Sequence, residues 1–312
     1  MVPAGWVWAL LLWLSASPLA ADEWSVYRAQ DVVFQFQASD SVLARVVLDD
    51  VLEGRKEIAK KFGGVPEVGM TVYLAPSESV FRELTQGRIP HWGVGCAFPD
   101  AGVVVLRKLP GDVDILLRTA RHEVAHILLH KSVSGQVPVW FDEGVAMWAA
   151  QEWRLTQSAE VFYAILSEGV VPLSEMDAIL SFGSSRAHLA YTESLLAVTF
   201  LLQQGGADAI GHMISDLALG TPFPIVLFRV TGWTQGRFET EWLHYVRGRF
   251  SLTAMLVAPE AIWVYMAVLF LLAYVGIRFR NRATVKRWEE EDPLEALPLR
   301  LRLQVHRWED RS

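Results

Sequence analysis

Apolar and polar positions change their period along this chain, and each change marks an element. Val32–Gln37 alternates and predicts a strand, whereas Ser41–Phe62 repeats its apolar residues at three and four and predicts an amphipathic helix stopped by Gly63-Gly64. Met70–Leu74 returns to a strand pattern, and a short helix is expected after Pro76. Gly87–Pro99 is rich in glycine and proline with no period, and Val103–Leu106 is a short apolar strand. From Gly111 to Phe250 the spacing is helical almost throughout. The pattern therefore predicts an α/β half followed by a helical half, with the join near residue 111 and no internal repeat.

Two stretches stand outside this scheme. Residues 1–21 contain 16 apolar residues, with a core at Trp6–Leu14 and small residues before Ala20 and Ala21, and read as a secretory signal peptide. Ala261–Ile277 has 16 apolar residues in 17 positions, preceded by Pro259-Glu260 and followed by Arg278, Arg280, Arg282, Lys286 and Arg287. This reads as one transmembrane helix over residues 258–278, and the basic collar puts the 279–312 tail in the cytoplasm and the domain before it outside. A single-pass membrane protein is expected. Residues 22–111 would form the α/β lobe and 112–252 the helical lobe.

Composition narrows the partners. Between Asp22 and Glu260 there are 19 basic and 28 acidic residues, which argues against nucleic acid. The single thiol, Cys96, excludes a disulfide framework within one chain and reads as a small buried or loop residue. In the tail, Leu299, Leu301, Leu303 and Val305 alternate, as in a short strand or a surface segment.

The chemistry gathers where the two halves join. His122-Glu123-Val124-Ala125-His126 lies in the helical pattern Val113–Lys131. Residues i and i+4 share one helix face, so both imidazoles can reach one metal ion, and Glu123 is placed to take a proton from water there. Zinc with an open coordination position needs a third protein ligand. His130 stands about 12 Å of helix rise from His122 and is expected to face solvent or to support the site from behind. A glycine at 129 and a histidine at 132 would extend the motif, but Leu129 and Ser132 stand there. Glu143 is the better candidate, with 16 residues between it and His126, in a second helix opened by Pro138. Gly144 and Ala146 are small enough for that helix to pack closely on the first. Asp142 either orients a ligand imidazole or caps this helix. Trp140, Trp148 and Trp153 read as packing residues.

The pair formed by the HExxH helix and Val139-Trp140-Phe141-Asp142-Glu143-Gly144-Val145-Ala146 resembles the gluzincin branch of the MA clan of metallopeptidases, most closely its short peptidase-MA-like domains. The likeness extends over roughly Val32 to Phe250. It includes Gly93-Val94-Gly95 before the last strand, the Ala190–Ser194 helix ending at Gly205-Gly206, and Thr231-Gly232-Trp233 to Trp242. It implies an α+β zincin-like fold with a mixed sheet, Zn²⁺ on His122, His126 and Glu143, Glu123 as general base, and a peptide or protein substrate. A tyrosine or histidine downstream would stabilise the oxyanion; Tyr191 matches, with His188 as the alternative. Val103–Leu106 would be either the substrate-binding edge strand or an ordinary core strand.

Two departures bear on the activity. Aminopeptidase relatives usually have 18 residues before the third ligand, and no GxMEN-like sequence is present to hold a free amine, so endopeptidase action is favoured. The rival expectation is a catalytically silent, membrane-anchored binding or sensor module. An intramembrane protease is disfavoured, because Arg118 and Arg121 lie on the metal helix itself.

Overall fold

The computed structural model describes residues 24–90, 93–109, 111–152, 169–176, 184–249, 261–291, 298–301 and 303. The expected signal peptide and Trp153 lie outside them. The chain divides into two units, Met1–Gly248 and Arg249–Ser312.

The first unit opens on a five-stranded mixed sheet. Its strands are β1 (Trp24–Ala29), β2 (Val32–Gln37), β3 (Met70–Ala75), β4 (Gly95–Phe98) and β5 (Val103–Arg107), in the order β1-β2-β3-β5-β4. The central pairs β2/β3 and β3/β5 are parallel, and the two outer strands run antiparallel to their neighbours. Hence β5 is an internal strand, and the edge next to it is β4, in the stretch whose glycines and prolines hide any alternation. Helix α1 (Ser41–Lys61) packs over Val32, Phe34 and Phe36 and ends where Gly63 takes φ 87°. On the opposite face, α2 (Glu78–Leu84) covers Ala75, Cys96 and Val105. Cys96 is thus buried, as expected, and burial pushes its thiol up to about 12.

Helix α3 (Val113–Ser132) starts where the Asp112 carboxylate accepts the Ile115 amide at 3.0 Å. It lies against α1 and the β4–β5 hairpin, with Leu116, Ala120, Val124, Ile127 and Leu128 buried. Helix α4 (Val139–Ala149) follows, then α5 (Ser184–Gly205), α6 (Ala209–Ala218), α7 (Phe223–Thr231) and α8 (Gln235–Arg249). The small residue in α4 serves a different neighbour from the one expected. A Cβ at Gly144 would sit 2.3 Å from the Ser194 carbonyl oxygen and 2.7 Å from Val198 Cγ2, so glycine admits α5 rather than α3. Trp140 is buried against Phe141, Phe223 and Phe238, a packing residue as anticipated. Trp148 lies under the Lys61 ammonium, 5.5 Å from its ring centre.

The second unit contains α9 (Ala261–Glu291), whose Ile262–Arg282 stretch has a mean hydropathy of 2.0 and apolar side chains that stand exposed. Its 21 residues rise about 30 Å, the thickness of a bilayer's hydrocarbon core. The helix runs on to Glu291, and Leu299–Leu301 and Leu303 are helical, so the strand reading of the tail does not hold.

Within the first unit Glu193 is fully buried on α5. One carboxylate oxygen accepts the Val171 amide at 3.0 Å, tying the segment 169–176 to the helix, and the other has no hydrogen-bond partner. Burial raises its pKa to about 8, against an ordinary value of 4.5. The folded state therefore holds a proton that the unfolded chain has lost. Stability should fall as pH rises from about 4.5 to about 8 and level off above that. Glu193→Gln keeps an acceptor for Val171 and removes the charge, so thermal melts of the detergent-solubilised variant should lose that slope. At pH 8 the variant should exceed the wild type by about 1–3 kcal/mol. Identical pH dependence in the two proteins would refute the assignment.

Candidate metal centre

Helical spacing sets the first two side chains of the site. His122 and His126 project from one face of α3, and their Nε2 atoms stand 3.0 Å apart. Glu143, in the first turns of α4, brings Oε2 to 3.3 Å from His122 Nε2 and 3.5 Å from His126 Nε2.

The outer ring nitrogens decide what this triangle is. His122 Nδ1 is 2.8 Å from Glu152 Oε1, and His126 Nδ1 is 2.7 Å from Asp142 Oδ1. An ionised carboxylate only accepts, so each imidazole donates its Nδ1–H and turns the Nε2 lone pair inward. Glu143 Oε2 is buried with no hydrogen-bond partner. With both rings neutral, three acceptors thus face one another with no donor among them, an arrangement that a cation relieves. Tetrahedral zinc with bonds near 2.0–2.1 Å requires ligand separations of about 3.3 Å. The separations of 3.0, 3.3 and 3.5 Å fit that requirement.

The same carboxylates make the site demand positive charge, which the rings themselves hold as protons when no ion supplies it. Burial alone would lower His122, but Glu152 and Glu143 outweigh it and hold the ring up to about 10. His126 is likewise held well above the usual histidine range by Asp142 and Glu143, against the effect of burial. Burial acts to raise Glu143, yet the two imidazoles bring it down to about 2. Arg121, beside His122, does not contribute its charge here. Its guanidinium is turned to α1, bonded to both Asp50 oxygens at 2.7–3.1 Å and to Glu57 at 2.8 Å.

Glu123 is buried between α3 and β4. A Cβ on Gly95 would come within 2.5 Å of both Glu123 Oε1 and Thr119 Cγ2, so the glycine in the edge strand is what admits this carboxylate. Burial raises the Glu123 pKa, the imidazoles of His122 and His126 oppose the shift, and Glu143 and Glu152 add to it. Across the site, Tyr191 on α5 is half-buried. Its hydroxyl is pushed well above its ordinary value by burial and by the negative charge of Glu143, Glu123, Glu152 and Asp142. His188 stands exposed on the same helix.

Residues that the pattern left open or passed over brace the triangle. Asp142 is an orienting group and not a cap: Pro138 holds the capping position of α4, and Asp142 Oδ2 also lies 2.7 Å from His130 Nε2. His130 therefore supports the site from behind. Glu152 was not anticipated. It follows Gln151, whose φ of 57° ends α4 in a left-handed turn, with Gln151 N bonded to Trp148 O at 3.2 Å and Glu152 N to Met147 O at 3.1 Å. That turn normally announces itself by glycine, and glutamine hides it. Lys61 of α1 secures the same helix end by donating to the Ala149 carbonyl at 2.8 Å.

A search of curated proteins finds no match to this chain. The model of the peptidase MA superfamily matches residues 56–248, which run from the last turns of α1 to the end of the first unit and include His122, Glu123, His126, Asp142, Glu143, Glu152 and Tyr191. With most of its length covered, and with a mixed α+β fold around an HExxH helix, the chain belongs to the peptidase MA superfamily.

Proposed function

We propose that this chain is a membrane-anchored zinc metallopeptidase that hydrolyses peptide bonds outside the cytoplasm, with His122, His126 and Glu143 as the metal ligands. The observation that carries the reading is the triangle of three inward-facing acceptors, with the Glu123 carboxylate on the same helix beside it. His122, His126 and Glu143 would hold Zn²⁺, which would supply Lewis-acid polarisation of the scissile carbonyl and a more acidic water. Glu123 takes the proton from that water and returns it to the leaving amine, a task suited to a carboxylate whose basicity burial has increased. Tyr191 keeps its proton at neutral pH and donates it as a hydrogen bond to the developing oxyanion. Asp142 and Glu152 hold the two imidazoles in the tautomer that presents Nε2 inward.

The absence of a GxMEN-like sequence for anchoring a substrate amine favours internal cleavage. Ile262–Arg282 serves as the membrane span, and the basic residues at its far end favour a cytoplasmic tail.

Three measurements test this reading. Glu123→Gln should retain about one zinc per chain by elemental analysis and lose cleavage of a peptide library by about 10²–10⁴-fold. Undiminished turnover would overturn the mechanism, and turnover absent from the wild type would favour a silent binding module. Tyr191→Phe should lower kcat by about 10²–10³-fold with little change in KM. A rise in KM alone would make Tyr191 a substrate-packing residue. Glu152→Ala should weaken zinc binding, read by chelator competition, by about 10–100-fold. Unaltered affinity would remove Glu152 from the site.

A further inference from the structure

The turn between α6 and α7 is uncharged and carries exposed apolar side chains. Residues 217–228, Leu-Ala-Leu-Gly-Thr-Pro-Phe-Pro-Ile-Val-Leu-Phe, carry no charge, and the ion pair that closes the stretch, Asp216 with Arg229 at 2.8 Å, neutralises its base. Leu217, Phe223, Val226 and Leu227 are buried and hold the hairpin down. Leu219, Ile225 and Phe228 point outward with 83%, 48% and 53% of their surface exposed. Among the described residues of this unit, Leu219 and Phe228 are the only leucine and phenylalanine that stand exposed. Ile225 and Phe228, three apart on α7, share one side of the helix.

Several backbone groups of the turn are also paired within the protein. Gly220, at φ 79°, donates to Leu217 O at 3.0 Å, and Thr221 donates to Asp216 O at 3.2 Å. Pro222 and Pro224 have no N–H, and the amides of Ile225 and Val226 both return to Pro222 O. The Leu217 and Ala218 carbonyls accept from the Ser134 amide and hydroxyl at 3.1 and 3.0 Å. A turn in which these backbone groups are already paired gives up fewer hydrogen bonds on leaving water, which is what a lipid environment favours.

We infer that this α6–α7 turn is a lipid-contact site, with Leu219, Ile225 and Phe228 entering the headgroup–acyl boundary of the bilayer that α9 spans. The inference rests on the reading of Ile262–Arg282 as a membrane span. Eleven residues, 250–260, separate α8 from α9, a length of chain that reaches at most about 40 Å. The bilayer is therefore always within reach, and a contact too weak to recruit a free protein becomes an intramolecular event. Such a contact would fix which side of the peptidase unit faces the membrane, and so which substrates reach the site.

The test uses the full chain in phosphatidylcholine vesicles, with and without lipids carrying a nitroxide on the acyl chain. Single cysteines at Ile225→Cys, Val42→Cys and Leu269→Cys are labelled with an environment-sensitive fluorophore, the buried Cys96 remaining unlabelled. Nitroxide should quench the labels at 225 and 269 by about twofold or more and leave the exposed label at 42 unaffected. Adding Phe228→Asp should abolish quenching at 225 and preserve it at 269. Quenching at 269 without quenching at 225 overturns the lipid-contact site alone, as does equal quenching at 225 and 42. An emission shift at 225 without quenching means a protein partner, a second copy included, and overturns it too. No quenching at 269 overturns the membrane span and the inference with it.

Discussion

The structure depends on one demanding juxtaposition, two imidazole nitrogens and a carboxylate oxygen held within 3.5 Å of one another, which repel whenever both rings are neutral. Left to themselves these groups would separate or rotate toward water. They stay because each ring is fixed from its far side by a carboxylate, Glu152 on His122 and Asp142 on His126, and because the site is largely closed to solvent. The first unit can be read as a set of supports that keep three side chains aimed at one point between them.

Those supports come from elements that are far apart in sequence. α1 contributes Asp50 and Glu57, which anchor α3 through Arg121, and Lys61, which anchors the end of α4. Gly54 makes room for the Arg121 side chain, since a Cβ there would press within 3.0 Å of its Cγ. α5 closes on α4 through Gly144 and carries Tyr191 to the same side. The helix pair that carries the HExxH motif and Glu143 is thus held by α1 and by α5.

How much of this was legible depended on whether the signal was local. His122, Glu123 and His126 share a helix, and their relation follows from its 3.6-residue period. Glu143 was readable as well, because Pro138 marks the helix start and the carboxylate lies one turn in. Glu152 was not, since its position comes from a left-handed turn at Gln151 that no glycine announces. The edge strand β4 was hidden for a related reason. Gly-Cys-Ala-Phe has no β-branched residue and no alternation, and it is a strand because β5 pairs with it. The partner of Gly144 was misread because a small residue predicts close packing without saying against what. The order of strands is a tertiary fact, and Val103–Leu106 could be placed inside the sheet only once β4 had been found beside it.

The close approach at Gly95 has a further consequence, for the accuracy of folding. Successive residues of β4 face opposite sides of the sheet, so Gly95 meets Glu123 and Thr119 while Cys96 enters the cluster under α2. A slip of one residue would drive Val94 or Cys96 into the space that only a hydrogen atom fits. The hairpin has only the short pairing of Gly95–Phe98 with Val103–Leu106 to define its alignment. α3 therefore acts as a gauge for the β4–β5 register, accepting the correct pairing and rejecting its neighbours by steric exclusion at Glu123 and Thr119.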